Sequence, residues 1–82
     1  MEILIIYNSQ IGDYATKIAE YLKQNGFSVN LEDISIYSGN TNITTVPTFL
    51  IRKAEKEGYM LKGKQPLEVI LNWAKNSGAR NN

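Results

Sequence analysis

One proline limits the folds open to this chain more than any other residue. Residues 44–51 read TTVPTFLI, so Pro47 stands directly before the apolar, β-prone run Thr48-Phe49-Leu50-Ile51. Proline cannot donate to a strand ladder, so within a sheet it is confined to an edge, a bulge or the first position. The run after Pro47 is therefore a strand that starts there, entered through a turn.

The residues upstream supply what that strand pairs with. Residues 2–7, EILIIY, are apolar on both pleat faces, the pattern of a central strand covered on each side. A polar loop follows, with Asp13 placed as a helix N-cap. Tyr14, Ala15, Ile18, Ala19, Tyr21 and Leu22 recur at helical spacing, with Lys17, Glu20, Lys23 and Gln24 mostly between them. Asn25-Gly26 is a helix stop. Phe27, Val29 and Leu31 then alternate with Ser28, Asn30 and Glu32, as in a half-buried strand. A strand, helix and strand this close together form a βαβ unit, which implies parallel pairing and a right-handed crossover.

Residues 33–45 are too short for a full helix with connections, and Ser38–Asn42 is a loop signal. The expectation is a loop with at most one helical turn. Ile34, Ile36, Tyr37 and Ile43 would cover one sheet face; if they do not, that face is a surface for a partner or a second copy. TFLIRK is the strand after Pro47, AEKEG the hairpin connection and YMLK the last strand. Pro66 suits the first position of a closing helix, in which Leu67, Ile70, Leu71 and Ala74 make an apolar stripe beside Val69 and Trp73. The expected unit is one domain over residues 1–78 with a frayed tail at 79–82.

Composition removes several functions. The chain has 82 residues, 43% hydrophobic, with a formal net charge of +1. That balance favours neither disorder nor bulk nucleic-acid binding. No apolar run approaches the roughly 20 residues of a membrane span, and MEILIIYN lacks the basic start and cleavage site of a signal peptide. A cytoplasmic location is the default expectation. With no cysteine and no histidine, disulfides, thiol nucleophiles, Cys/His zinc sites and a histidine base are excluded. No metal or cofactor is expected. Lys53, Lys56, Lys62 and Lys64, interspersed with Glu55 and Glu57, read as a solvated, edge-protecting surface.

The order β-α-β-loop-β-β-α, with Thr45-Val46-Pro47-Thr48 before the third strand, resembles the thioredoxin superfamily and specifically small glutaredoxins. The resemblance implies a thioredoxin-like α/β fold: a four-stranded mixed sheet, two main helices and a shortened or missing middle helix. It implies a cis bond before Pro47, whose neighbouring main-chain edge pairs in the family with an extended peptide or glutathione. Counting from Tyr7 and back from Gly26 places the family's Cys-Pro-Tyr-Cys motif at Gly12-Asp13-Tyr14-Ala15, where only the tyrosine is kept. Leu61–Leu67 is similar to the Trp-Ser-Gly-Phe-Arg-Pro segment of glutaredoxin-like redoxins, matching at Gly63 and Pro66. Flavodoxins share the look of IIYNSQIGDYATKIAEYL, but the chain is too short for their doubly wound sheet.

The departures from the family bear on function. Gly12 and Ala15 stand where both sulfurs would be, and thiol–disulfide exchange needs a thiolate. Ser9 sits near the family's lysine for the glutathione carboxylate, and Gln65-Pro66 where a polar or acidic pair would hold its amine. The resemblance therefore implies a non-redox module that binds another protein. Its candidate site is Ser9, Gln10, Ile11, Gly12, Asp13 and Tyr14 with Thr45, Val46 and Pro47. Ile11 is expected to be exposed beside that edge. The helix mouth could also attract an anion, although Asp13 would repel one. Two alternatives stay open: a structural or homodimeric role through the thinly covered sheet face, and glutathione-like ligand binding or a non-thiol enzyme. Neither nucleic acid nor membrane is an expected partner.

Overall fold

The central element is the first strand, β1 (Glu2–Tyr7), whose Ile3, Leu4, Ile5 and Ile6 are at most 1% exposed. The computed structural model describes residues 2–37, 43–53 and 56–77. A 3-10 turn (Ser9–Ile11) leads from β1 into α1 (Gly12–Gln24), followed by β2 (Val29–Asp33), β3 (Thr48–Lys53), β4 (Lys56–Lys62) and α2 (Leu67–Asn76). The four strands form one mixed sheet in the order β2-β1-β3-β4. β1 and β2 are parallel, with Ile5 opposite Leu31; β1 and β3 are antiparallel, with Ile5 opposite Phe49 and Ile6 opposite Thr48. The result is an α/β fold with two helices. The loop signal at 38–42, the hairpin residues Ala54 and Glu55, and the tail at 79–82 lie outside the described residues, as do the side chains of Lys53, Lys56 and Glu57.

Both helices lie on one face. Ala15, Ile18, Ala19 and Leu22 of α1 and Ile70 and Ala74 of α2 pack with Ile3, Ile5, Val29, Phe49 and Ile51 in one cluster. The end of α1 fits its sequence closely. The Gly26 N–H donates to the Lys23 carbonyl at 3.1 Å, and the Phe27 N–H donates to the Leu22 carbonyl at 3.1 Å. This reciprocal pair needs a left-handed residue, and Gly26 has φ +91. Leu22 and Phe27 then meet in the core.

The other face is covered by the segment between β2 and β3, with no helix on it among the described residues. Leu4, Ile6 and Leu50 form a second cluster with Ile43, against which Ile34, Tyr37 and Val46 pack. Residues after β2 make one turn: the Asp33 carbonyl accepts the N–H groups of Ile36 and Tyr37 at 3.0 and 3.1 Å. The Asp33 carboxylate accepts the Ser35 N–H at 2.9 Å. This bond, and then one from the Ser35 hydroxyl, hold the Asp33 carboxyl below its ordinary value. Further along the same face the side chains become polar. Arg52 Nη1 lies 3.3 Å from Glu2 Oε1 and Nη2 3.7 Å from Glu32 Oε2, and Asn30 donates to Glu2. Partly solvated pairs of this kind contribute roughly 0.2–1 kcal/mol each.

Several expectations need correction. Asp13 does not cap α1; the chain is already turning at Ser9, and the Asn8 side chain caps that earlier turn by accepting the Gln10 N–H at 3.0 Å. Asp13 is an exposed first-turn residue instead. Pro66 is the N-cap of α2, with ψ 149, one residue ahead of its expected place. β4 begins at Lys56, so the hairpin connection is shorter than AEKEG. A β-bulge makes the longer strand workable: Phe49 faces Leu61 but Ile51 faces Gly58, so Tyr59 and Met60 share Leu50 as their opposite. Leu31, Ile36 and Leu67, all expected to be covered, are 38%, 70% and 46% exposed. Leu31 lies on an edge strand, Ile36 points out of the Asp33 turn, and Leu67 sits at the open start of α2.

Candidate functional site

Sheet register brings the two halves of the expected site to one end of the molecule. Ile6 pairs with Thr48, so residues 8–14 leave β1 at the level where residues 45–47 enter β3, on the adjacent strand. Thr48 also pairs with Lys62, which sets Gly63–Pro66 at the same end. The Gly63 N–H donates to the Pro47 carbonyl at 2.8 Å, and Gly63 has φ +84, a left-handed value that a side chain would strain. The Val46–Pro47 peptide bond is cis. The Thr48 hydroxyl donates to the Thr45 carbonyl and is fully buried with its residue.

Within this end the residues differ in access. Ser9, Gln10, Asp13 and Thr45 are exposed, Ile11, Gly12, Tyr14 and Val46 are half-buried, and Pro47 is buried. Ile11 is thus less accessible than expected, because it closes the 3-10 turn and forms the N-cap of α1. Gly12 is helical (φ −57), and a Cβ there would meet nothing within 4 Å. That glycine is not required by the backbone, and it leaves open space where a side chain could stand. Among the described residues, the Val46 N–H and C=O have no hydrogen-bond partner.

Tyr14 points under the Gly63–Pro66 segment, where Lys64 Nζ lies 5.2 Å from its ring centroid. No sequence pattern pairs these two residues; only the strand register does. The Tyr14 hydroxyl is shielded from water and has no hydrogen-bond partner among the described residues. Burial raises its pKa above the ordinary 10.0, and the nearby Gln65 backbone N–H offsets part of the rise without reaching hydrogen-bond geometry. The Gln65 side chain instead donates to the Lys62 carbonyl at 2.9 Å.

A raised folded-state pKa means that the folded protein holds the phenolic proton more tightly than the unfolded chain. The contribution to stability is complete below the unfolded-state pKa and is lost as pH rises through the folded-state value. Tyr14→Phe removes that alkaline loss and an unsatisfied hydroxyl together. The expected outcome is stability equal to the parent or about 1 kcal/mol higher near neutral pH, with a flatter decline in alkali. Urea midpoints measured from neutral to alkaline pH test it; a marked loss at neutral pH would show that the hydroxyl has a partner after all.

The site contains no metal cluster: no group of three or more acidic, histidine or cysteine side chains stands together among the described residues. No helix among them is long and apolar enough to cross a membrane. In comparisons with known proteins, no family model, no curated protein and no solved structure matches this chain.

Proposed function

We propose that the chain is a cysteine-free, glutaredoxin-like domain of the thioredoxin superfamily that binds an extended segment of another protein. The observation that carries this reading is the Val46 main chain, whose N–H and C=O lack partners among the described residues at the sheet end shared with the mouth of α1. An extended segment can pair with such a group and gain main-chain hydrogen bonds, with neighbouring pockets choosing its side chains. The open space at Gly12 lets that segment come close to the start of the helix. With no thiol in the chain, the site holds its partner without disulfide exchange. This is the reading of a binding protein and not of an enzyme.

Selection of a random octapeptide library on phage, followed by titration of the enriched synthetic peptides into isotope-labelled protein, tests it. The expected result is amide shifts at Val46 and along residues 9–14. Gly12→Gln fills the open space with a better helix former, by roughly 0.5–1 kcal/mol, so it should abolish binding in a protein at least as stable as the parent. Enriched peptides that leave Val46 and residues 9–14 unmoved, or bind Gly12→Gln unchanged, would overturn the reading.

A further inference from the structure

The two edges of the sheet are guarded very differently. β4 carries a bulge and a glycine, and its end residue Lys62 is an exposed lysine. These are recognised ways of blunting a strand edge against further pairing. β2 (Val29–Asp33) has no bulge, no proline, no glycine and no lysine, and its two charges are engaged within the chain, Glu32 with Arg52 and Asp33 with the Ser35 N–H. Its midpoint, Leu31, is 38% exposed.

The main-chain direction of β2 follows from two hydrogen bonds at its ends. The Ile3 N–H donates to the Ser28 carbonyl at 2.8 Å, and the Ile34 N–H donates to the Tyr7 carbonyl at 2.8 Å. In a parallel ladder alternate residues turn to the partner strand. Residues 28, 30, 32 and 34 therefore face β1, and Val29, Leu31 and Asp33 direct their N–H and C=O groups to the open edge. The Asp33 carbonyl is taken up by the turn that follows. The Val29 and Leu31 groups have no partner among the described residues.

We infer that this edge pairs with β2 of a second copy of the chain, antiparallel about a two-fold axis through Leu31. The commitment to a second copy rests on self-complementarity, which an isologous interface requires. With Leu31 on the axis, Leu31 faces Leu31, Val29 faces Asp33 and Asn30 faces Glu32. Leu31 and its copy then form a full hydrogen-bonded pair, and each Asp33 N–H meets the Val29 carbonyl of the other copy, while the Asp33 carbonyl stays in its own turn. The exposed leucines meet each other on the helix face. On the polar face each Asn30 amide lies across from a Glu32 carboxylate, extending the cluster of Glu2, Asn30, Glu32 and Arg52 across the axis. No pair directly opposite carries like charges. The product is a continuous eight-stranded sheet with the candidate peptide site of each copy still open.

The absence of native cysteine makes the test direct. Residues of a hydrogen-bonded antiparallel pair have Cα atoms about 5.5 Å apart, within disulfide reach. Leu31→Cys should therefore cross-link to a covalent dimer under mild oxidation at least ~10-fold faster than Met60→Cys, an equally exposed position on the guarded edge. Wild type should show concentration-dependent dimerisation by sedimentation equilibrium. Leu31→Lys, which sets like charges opposite each other, should raise the dimer dissociation constant by about tenfold or more, while Met60→Lys leaves it unchanged. Equal cross-linking at positions 31 and 60, or wild type that sediments as a monomer up to millimolar concentration, would overturn the inference. Peptide binding at Val46 is read separately, so failure of either proposal leaves the other standing.

Discussion

Phe49→Ala should remove a large share of the stability of this protein. Phe49 is fully buried on an interior strand, in the cluster that joins both helices to the sheet. Its ring centroid lies 6.1 Å from that of Trp73 at an interplanar angle of 56°, a tilted aromatic contact between β3 and α2. Truncating a buried phenylalanine costs about 3–5 kcal/mol, from lost transfer free energy and the cavity left behind. At roughly 0.05–0.15 kcal/mol per residue, a domain of this size has on the order of 4–12 kcal/mol in total. The variant should therefore be partly unfolded at room temperature or show a greatly lowered urea midpoint. Trp73 is the single tryptophan, so its fluorescence reports directly on the packing that Phe49 provides. A loss below about 1 kcal/mol, well under that range, would mean that α2 does not pack on β3 through this residue.

Leu50→Ala tests the opposite face. Leu50 is 0% exposed although no helix covers it among the described residues. Its burial depends on the segment between β2 and β3, which brings Ile34, Tyr37, Ile43 and Val46 over Leu4, Ile6 and Leu50. If that cover is as close as a core, Leu50→Ala costs about 2–5 kcal/mol. Ile36→Ala, in the same segment but 70% exposed, should stay within about 0.5 kcal/mol of the parent. Chemical denaturation of the two variants side by side reads the difference. Similar small losses at both positions would show that the segment lies loosely on the sheet.

The candidate site was legible in part. The helix mouth and the proline before β3 each carry a local signal, a polar loop ahead of an amphipathic helix and a residue that cannot join a ladder. Their shared end of the sheet follows from β1 lying between β2 and β3, which is a property of long-range pairing. The Tyr14–Lys64 contact and the Gly63–Pro47 hydrogen bond left no trace in the sequence, because each joins residues whose spacing has no periodic meaning. Asp13 shows the opposite error. As a local signal it is a good helix cap, but Asn8 begins the turn earlier and displaces it.

By itself the sequence determined what depends on neighbours along the chain: the helical period of α1, the alternating pattern around Val29, the glycine stop at Gly26, and a chain without thiols. Tertiary structure alone decided which apolar residues those elements would bury. Leu31 follows the same pattern as Val29 yet remains 38% exposed, whereas Val29 is 6% exposed. Periodicity names a face, but burial needs a second element to cover it, and that cover comes from residues distant in the chain. The order β2-β1-β3-β4, the bulge opposite Leu50 and the cover of Leu4 and Ile6 by Ile34, Tyr37, Ile43 and Val46 are all products of such distant pairing.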